Sequence, residues 1–142
     1  MSNEAMFSGF DESSVEEQIA RYRDEAIERY GSEVVERSER QVRSLSPEDW
    51  ERIGEESGEI NQSMASLMDT HPAESPETQA VIERWYNLLN RYFASYSPDA
   101  FAGLGELYVA DERFARHYDE VRPGLAVYFR DAMTRFAERH RA

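Results

Sequence analysis

Apolar residues return every three or four positions along the chain and nowhere alternate in twos, a periodicity that predicts helices throughout and no strands. The residues after Asp11 set Val15, Ile19, Tyr22, Ala26 and Tyr30 on one stripe, with acids in the first turn and Gly31 as the stop. A second segment, SEVVERSERQVRS, offers only Val34, Val35 and Val42 to a core, which predicts a short, weakly held helix. Three Ser-Pro steps then punctuate the chain. At Ser46-Pro47, Ser75-Pro76 and Ser97-Pro98 a capping hydroxyl precedes a proline suited to the first helical position, and acids follow to meet the helix dipole.

Behind the first of these steps, Trp50, Ile53, Ser57, Ile60, Met64 and Leu67 share a face of a helix expected to reach about Asp69. Behind the second, Val81, Trp85, Leu88, Tyr92 and Tyr96 form one stripe, and Ile82, Tyr86, Leu89 and Phe93 adjoin it. That helix is apolar over more than half its circumference and should lie centrally. The third opens a short helix with Phe101, Leu104 and Tyr108. Asp111 opens another with Phe114 and Tyr118, and Leu125, Tyr128, Phe129, Ala132, Met133 and Phe136 mark the buried side of the last. No repeat or linker divides the chain, so residues 1–142 read as one domain.

Composition narrows the function classes. A chain of 142 residues can bury a core without staples, and 12% aromatic residues argue against disorder although 32% of residues are charged. The formal charge of −13 would repel a phosphate backbone, so no nucleic-acid partner is expected for this chain alone. With no cysteine, thiolate chemistry and thiolate metal sites are excluded. No apolar run approaches a membrane span and MSNEAMF lacks the features of a signal peptide, so no membrane partner is expected and the cytoplasm is the expected compartment.

The usual catalytic sets are missing. His71, His117 and His140 have no partner at metal-ligand spacing and are expected at the surface. The many carboxylate pairs, such as Glu55/Glu59, fall on polar helix faces, and Ser95 and Ser97 lack a nucleophile elbow. Neither an enzyme nor a cofactor is expected. The aromatic residues stand out instead: 12 of the 17 lie between Trp85 and Phe136. Tyr and Trp join a large apolar face to a hydrogen-bonding end, which suits core edges and also pockets for flat, partly polar ligands.

Residues 104–133, LGELYVADERFARHYDEVRPGLAVYFRDAM, resemble the second half of the TipAS antibiotic-recognition domain, the ligand-binding part of thiostrepton-induced MerR-type regulators. The resemblance continues upstream through ERWYNLLNRYFASYSPDAF and SPEDWERI to MFSGFD, and so covers nearly the whole chain. It implies an all-α, globin-like fold whose cleft takes bulky aromatic or heterocyclic ligands, thiopeptide-like peptide antibiotics above all. It also implies a mobile N-terminal helical lid, about residues 1–45, over a stable core of about 46–142. The candidate ligand-binding residues are Trp85, Leu89, Tyr92, Phe93, Tyr96, Phe101, Leu104, Tyr108 and Tyr118. Tyr96 is expected at the pocket mouth with Ser97 capping the next helix, and Trp50 and Trp85 are expected to flank the cleft.

Two departures from the family pattern matter. Tyr96 stands where the antibiotic-trapping member carries a cysteine, so binding here would be non-covalent, and Trp85 stands where the family often has histidine. These residues contain no winged helix-turn-helix. The resemblance therefore fits a free-standing or internally initiated binding protein, or the ligand-binding part of a regulator that reaches DNA through a separate MerR-type domain. The competing reading is a protein-interaction or dimerisation module, in which an apolar side of helix one or two docks a partner helix or a second copy.

Overall fold

The computed structural model describes residues 12–93 and 96–141, apart from the first-helix side chains at 12–16, 18, 19 and 30. Among these residues it contains seven helices and no strands: α1 Glu12–Tyr30, α2 Ser32–Arg43, α3 Pro47–Leu67, α4 Pro76–Tyr92, α5 Pro98–Ala110, α6 Glu112–Val121 and α7 Leu125–His140. The MFSGFD segment and Ser95 lie outside the described residues, as do the side chains of the expected stripe positions Val15, Ile19 and Tyr30. All three Ser-Pro steps act as caps. The Ser46 hydroxyl accepts from the Asp49 N–H at 3.1 Å while the Asp49 carboxylate accepts from the Ser46 N–H at 3.0 Å, a reciprocal capping box. The Ser75 and Ser97 hydroxyls accept from the Thr78 and Ala100 N–H groups at 3.2 and 3.1 Å. At Gly31 the chain turns from α1 into α2 with φ 94° and ψ 150°, a backbone state that side chains disfavour.

The core lies among α3 to α7 and is joined from α2 by Val42. Its centre is Phe129, fully buried, with ring centroids 4.7 Å from Tyr118, 6.3 Å from Tyr108 and 6.4 Å from Trp85. A second aromatic group joins α4, α5 and α7 through Tyr86, Phe101 and Phe136, at 4.8–5.3 Å from one another. Such offset and edge-on pairs add to the burial of apolar area. Helices α5 and α7 approach closely at Gly105, whose missing side chain leaves room for the Arg130 backbone and Met133.

Four expectations need correction. Val34 is 46% exposed, since α2 turns only Val35, Glu39 and Val42 inward. Helix α3 ends at Leu67, before a turn over 68–70. Tyr96 does not extend the α4 stripe, because that helix stops at Tyr92. His117 is buried, at 6% exposure, because Phe114, His117 and Tyr118 share one inward face of α6. Its ring sits edge-on to Tyr118 at 4.8 Å, and burial pushes its pKa down although the Glu120 charge opposes this.

Candidate functional site

A cleft of about 400 Å³ opens between α1 and α5. Tyr22, Glu25, Ala26 and Arg29 form one wall, and Ala100, Gly103, Leu104, Glu106, Leu107 and Ala110 form the other. Tyr96 closes one end. Helix α5 can serve both core and cleft because its apolar residues occupy two faces. Phe101, Gly105 and Tyr108 turn inward, while Ala100, Leu104 and Leu107 recur at three and four toward α1. The charges on the rim are already matched within the fold: Arg29 lies 3.6 Å from Glu25, and Arg130 lies 3.9 Å from Glu106. A largely apolar trough with tyrosines at its edges suits a flat ligand that carries few charges.

Tyr96 is set in place by its own backbone. Its N–H donates to the Asn90 side-chain carbonyl at 2.5 Å, and its C=O accepts from the Tyr86 hydroxyl at 2.6 Å. Asn90 is held in turn, its amide donating to the Tyr86 carbonyl at 2.8 Å. The residue that ends the cleft is therefore tied to the last turns of α4 by two hydrogen bonds, with a third holding Asn90 in place to accept one of them.

The opposite wall is fastened by polar groups. The Tyr22 hydroxyl donates to Asp111 Oδ2 at 2.6 Å and Arg21 approaches the same oxygen at 3.3 Å. Asp111 Oδ1 meanwhile accepts from the N–H groups of Arg113 at 2.9 Å and Phe114 at 3.3 Å, capping α6. One carboxylate thus joins the first helix to the start of the sixth. Burial pushes the Asp111 pKa up, but the Tyr22 hydrogen bond, the two backbone donors and the Arg21 charge outweigh it and hold the carboxyl below its ordinary range. The same hydrogen bond, aided by burial, raises the pKa of Tyr22. Glu17 pairs with Arg113 nearby. Helix α2 adds Arg23–Glu39 at 2.7 Å to α1, and Ser38 and Gln41 donate to the Phe93 and Arg91 carbonyls at 2.9 and 3.1 Å.

Of the nine ligand-binding candidates read from the sequence, the structure sets two, Tyr96 and Leu104, on this cleft. Trp85, Leu89, Tyr92, Phe93, Phe101, Tyr108 and Tyr118 are buried in the core. Trp85 is 1% exposed and donates its indole N–H to the Tyr108 hydroxyl at 3.1 Å, so it sits inside the bundle and flanks no part of the α1–α5 cleft. Trp50 packs on Phe93 at 5.8 Å, also away from this cleft. The periodicity missed Tyr22, Gly103 and Leu107. Leu107 was findable, since it completes the second face of α5 that Leu104 begins.

The match to the TipAS antibiotic-recognition domain profile runs from residue 22 to residue 136. This chain belongs to the TipAS family. Along 138 residues it is 36% identical to the HTH-type transcriptional activator TipA of Streptomyces coelicolor, covering 95% of this chain and 51% of that protein. The chain therefore spans about half the length of the curated relatives it matches. Among solved structures, it superposes on the Streptomyces lividans TipAS in complex with the thiopeptide antibiotic nosiheptide, with a TM-score of 0.74 and 35% identity, over 87% of this chain and 88% of that one. It also superposes on the antibiotic-binding domain of a TipA-class multidrug resistance transcriptional regulator, with a TM-score of 0.60 and 37% identity, over 66% of this chain and all of the other. The all-α TipAS fold expected from the sequence is the fold of this chain. Among the described residues no helix is long and apolar enough to cross a membrane, and no group of three His, Asp or Glu side chains could hold a metal ion.

Proposed function

We propose that this chain is the ligand-binding part of an antibiotic sensor, taking a thiopeptide-like antibiotic non-covalently between α1 and α5. The cleft carries the reading: an apolar trough walled by Tyr22, Leu104 and Leu107 and ended by Tyr96, in a family whose Streptomyces lividans member is known with nosiheptide bound. Flat heteroaromatic rings would bury their faces against these side chains, and with no cysteine in the chain no thioether can form. In this reading α1 and α2 are the lid. A ligand touching both walls adds apolar area to a helix otherwise fastened by Asp111, Arg113 and Glu39, and part of its binding energy is spent on ordering that helix. The ordered lid would be the signal passed on in the cytoplasm, to a DNA-binding domain when the chain is part of a regulator of the TipA type, or the chain would act by sequestration alone. The interaction-module reading finds little surface, since the exposed large hydrophobics among the described residues are Val34 on α2 and Val127 on α7.

Calorimetric titration with nosiheptide tests the proposal. A saturable heat, a melting temperature that rises with ligand and full release on dialysis are expected. The Tyr96→Ala variant should still fold, with some loss of stability because Tyr96 also packs against the core, and should bind about tenfold more weakly, as loss of one aromatic contact predicts. A flat titration with folded protein would reject thiopeptides as the ligand class.

A further inference from the structure

Helix α5 carries two glycines, and only one has a structural reason to be glycine. A Cβ on Gly105 would meet the Arg130 Cα and the Met133 Cβ and Sδ at 3.3 Å, a tight contact that even a methyl group could take only if α7 gave way by a few tenths of an ångström. Gly103 is different. A Cβ built on it meets nothing within 4 Å, and the positive-φ glycines of the described residues are Gly31 and Gly124, so neither space nor backbone conformation asks for glycine at 103. In mid-helix, glycine is among the least favourable residues, because it loses the most backbone freedom on folding. The fold would be better served by alanine.

What Gly103 does is open onto the cleft. It lies exposed between Ala100 and Leu107 on the wall that faces Tyr22, next to Leu104. With no side chain at 103, the α5 backbone is left bare there, beside the cleft-lining Ala100, Leu104 and Leu107. A planar ring can lie against it at van der Waals distance, about 3.5–4.0 Å, where any side chain would hold the ring off. We propose that Gly103 is a specificity-determining residue of the cleft, whose missing side chain admits the face of a planar heteroaromatic ring onto the α5 backbone. This inference rests on the antibiotic-binding reading above and names the part of the ligand that the cleft selects.

The test uses the purified chain with Gly103→Ala and Gly103→Leu, each melted without ligand and then titrated with nosiheptide. Gly103→Ala should melt higher, by about 3 °C, and bind about tenfold more weakly, because one added methyl group in a close-packed contact is overpacking. Gly103→Leu should melt no lower than the parent and bind at least about 100-fold more weakly. Better folding with poorer binding is the signature sought, since a merely structural glycine would lose both. Unchanged affinity in both variants, with the parent binding normally, overturns the role of Gly103 and leaves the antibiotic reading intact. A lower melting temperature for Gly103→Ala also overturns it, by making the glycine structural. Absence of binding in all three proteins overturns the inference together with the reading beneath it.

Discussion

Phe129 lies sealed among Trp85, Tyr108 and Tyr118, whereas Tyr22 is tied to α6 through its hydroxyl. The two rings represent two regions held by different forces. Helices α3 to α7 share continuous apolar packing, which is close to additive in buried area and indifferent to pH. The fastenings described for α1 and α2 are mostly hydrogen bonds and ion pairs, with Val35 and Val42 as the buried apolar contribution of α2. Partly exposed polar contacts are individually weak. In the reading proposed above such a region would be displaced and replaced at small cost, and the cleft lies along its border with the packed region.

The sharpest way to break the comparison is to strike the packed region at its centre. Phe129→Ala should cost about 3–5 kcal/mol of unfolding free energy, since the cavity it leaves is walled by three other rings that cannot collapse freely. Urea unfolding monitored by circular dichroism would measure this. A loss under about 1 kcal/mol would mean that the apolar cluster is not what holds α3 to α7 together.

Asp111 belongs to both regions, and two substitutions separate its roles. Asp111→Ala removes the cap of α6 and the acceptor for Tyr22 and Arg21, for a loss of about 2 kcal/mol. Asp111→Asn keeps an oxygen for the cap and should retain about half of that. The folded protein holds this carboxyl below its ordinary pKa of 3.8, so its contribution is complete above that value and is lost as pH falls through the depressed one. Acid titration should therefore show a steeper loss of stability below pH 3.8 in the parent than in Asp111→Asn, which keeps the contribution of Asp49, likewise held low by the Ser46 N–H. His117 acts in a separate window. Burial lowers its pKa from 6.5, so the unfolded chain takes up the proton first and stability falls as pH drops below 6.5. Melting curves between pH 7.5 and 5 (the buffer range, about) should slope downward in the parent and flatten in His117→Gln.

These residues also mark what the sequence could and could not reveal. The caps were legible because each is a local bargain between a hydroxyl or carboxylate and N–H groups two or three residues on, and Ser46, Ser75, Ser97 and Asp111 all make it. The apolar faces were legible for the same reason, down to Phe114 and Tyr118, and the family resemblance carried the fold. Telling a pocket from a core was not possible, because both call for the same aromatic residues. Tyr92 and Tyr96 looked alike on one stripe, yet the helix ends between them, so one is buried and the other ends the cleft. Tyr22 read as a core residue of the first helix, and only the position of α5 makes it a wall. His117 was assigned to the surface by residue type, although its place on the Phe114–Tyr118 face pointed inward.

The smallest expected effect is the most discriminating. Tyr22→Phe keeps the ring that faces the cleft and deletes only the hydroxyl that reaches Asp111. Because that bond is partly exposed, the global unfolding free energy should change by about 0.5 kcal/mol or less. If polar contacts are what fasten the first helix, the same deletion should be plain locally, as faster amide hydrogen exchange along 17–29 while α4, α5 and α7 keep their protection. Adding nosiheptide should restore the slow exchange, because the ligand supplies the apolar contact that the hydroxyl did not. Equal acceleration in all helices would mean that α1 unfolds only with the core, and the division between a packed region and a polar-fastened one would then be a difference of contacts without a difference of stability.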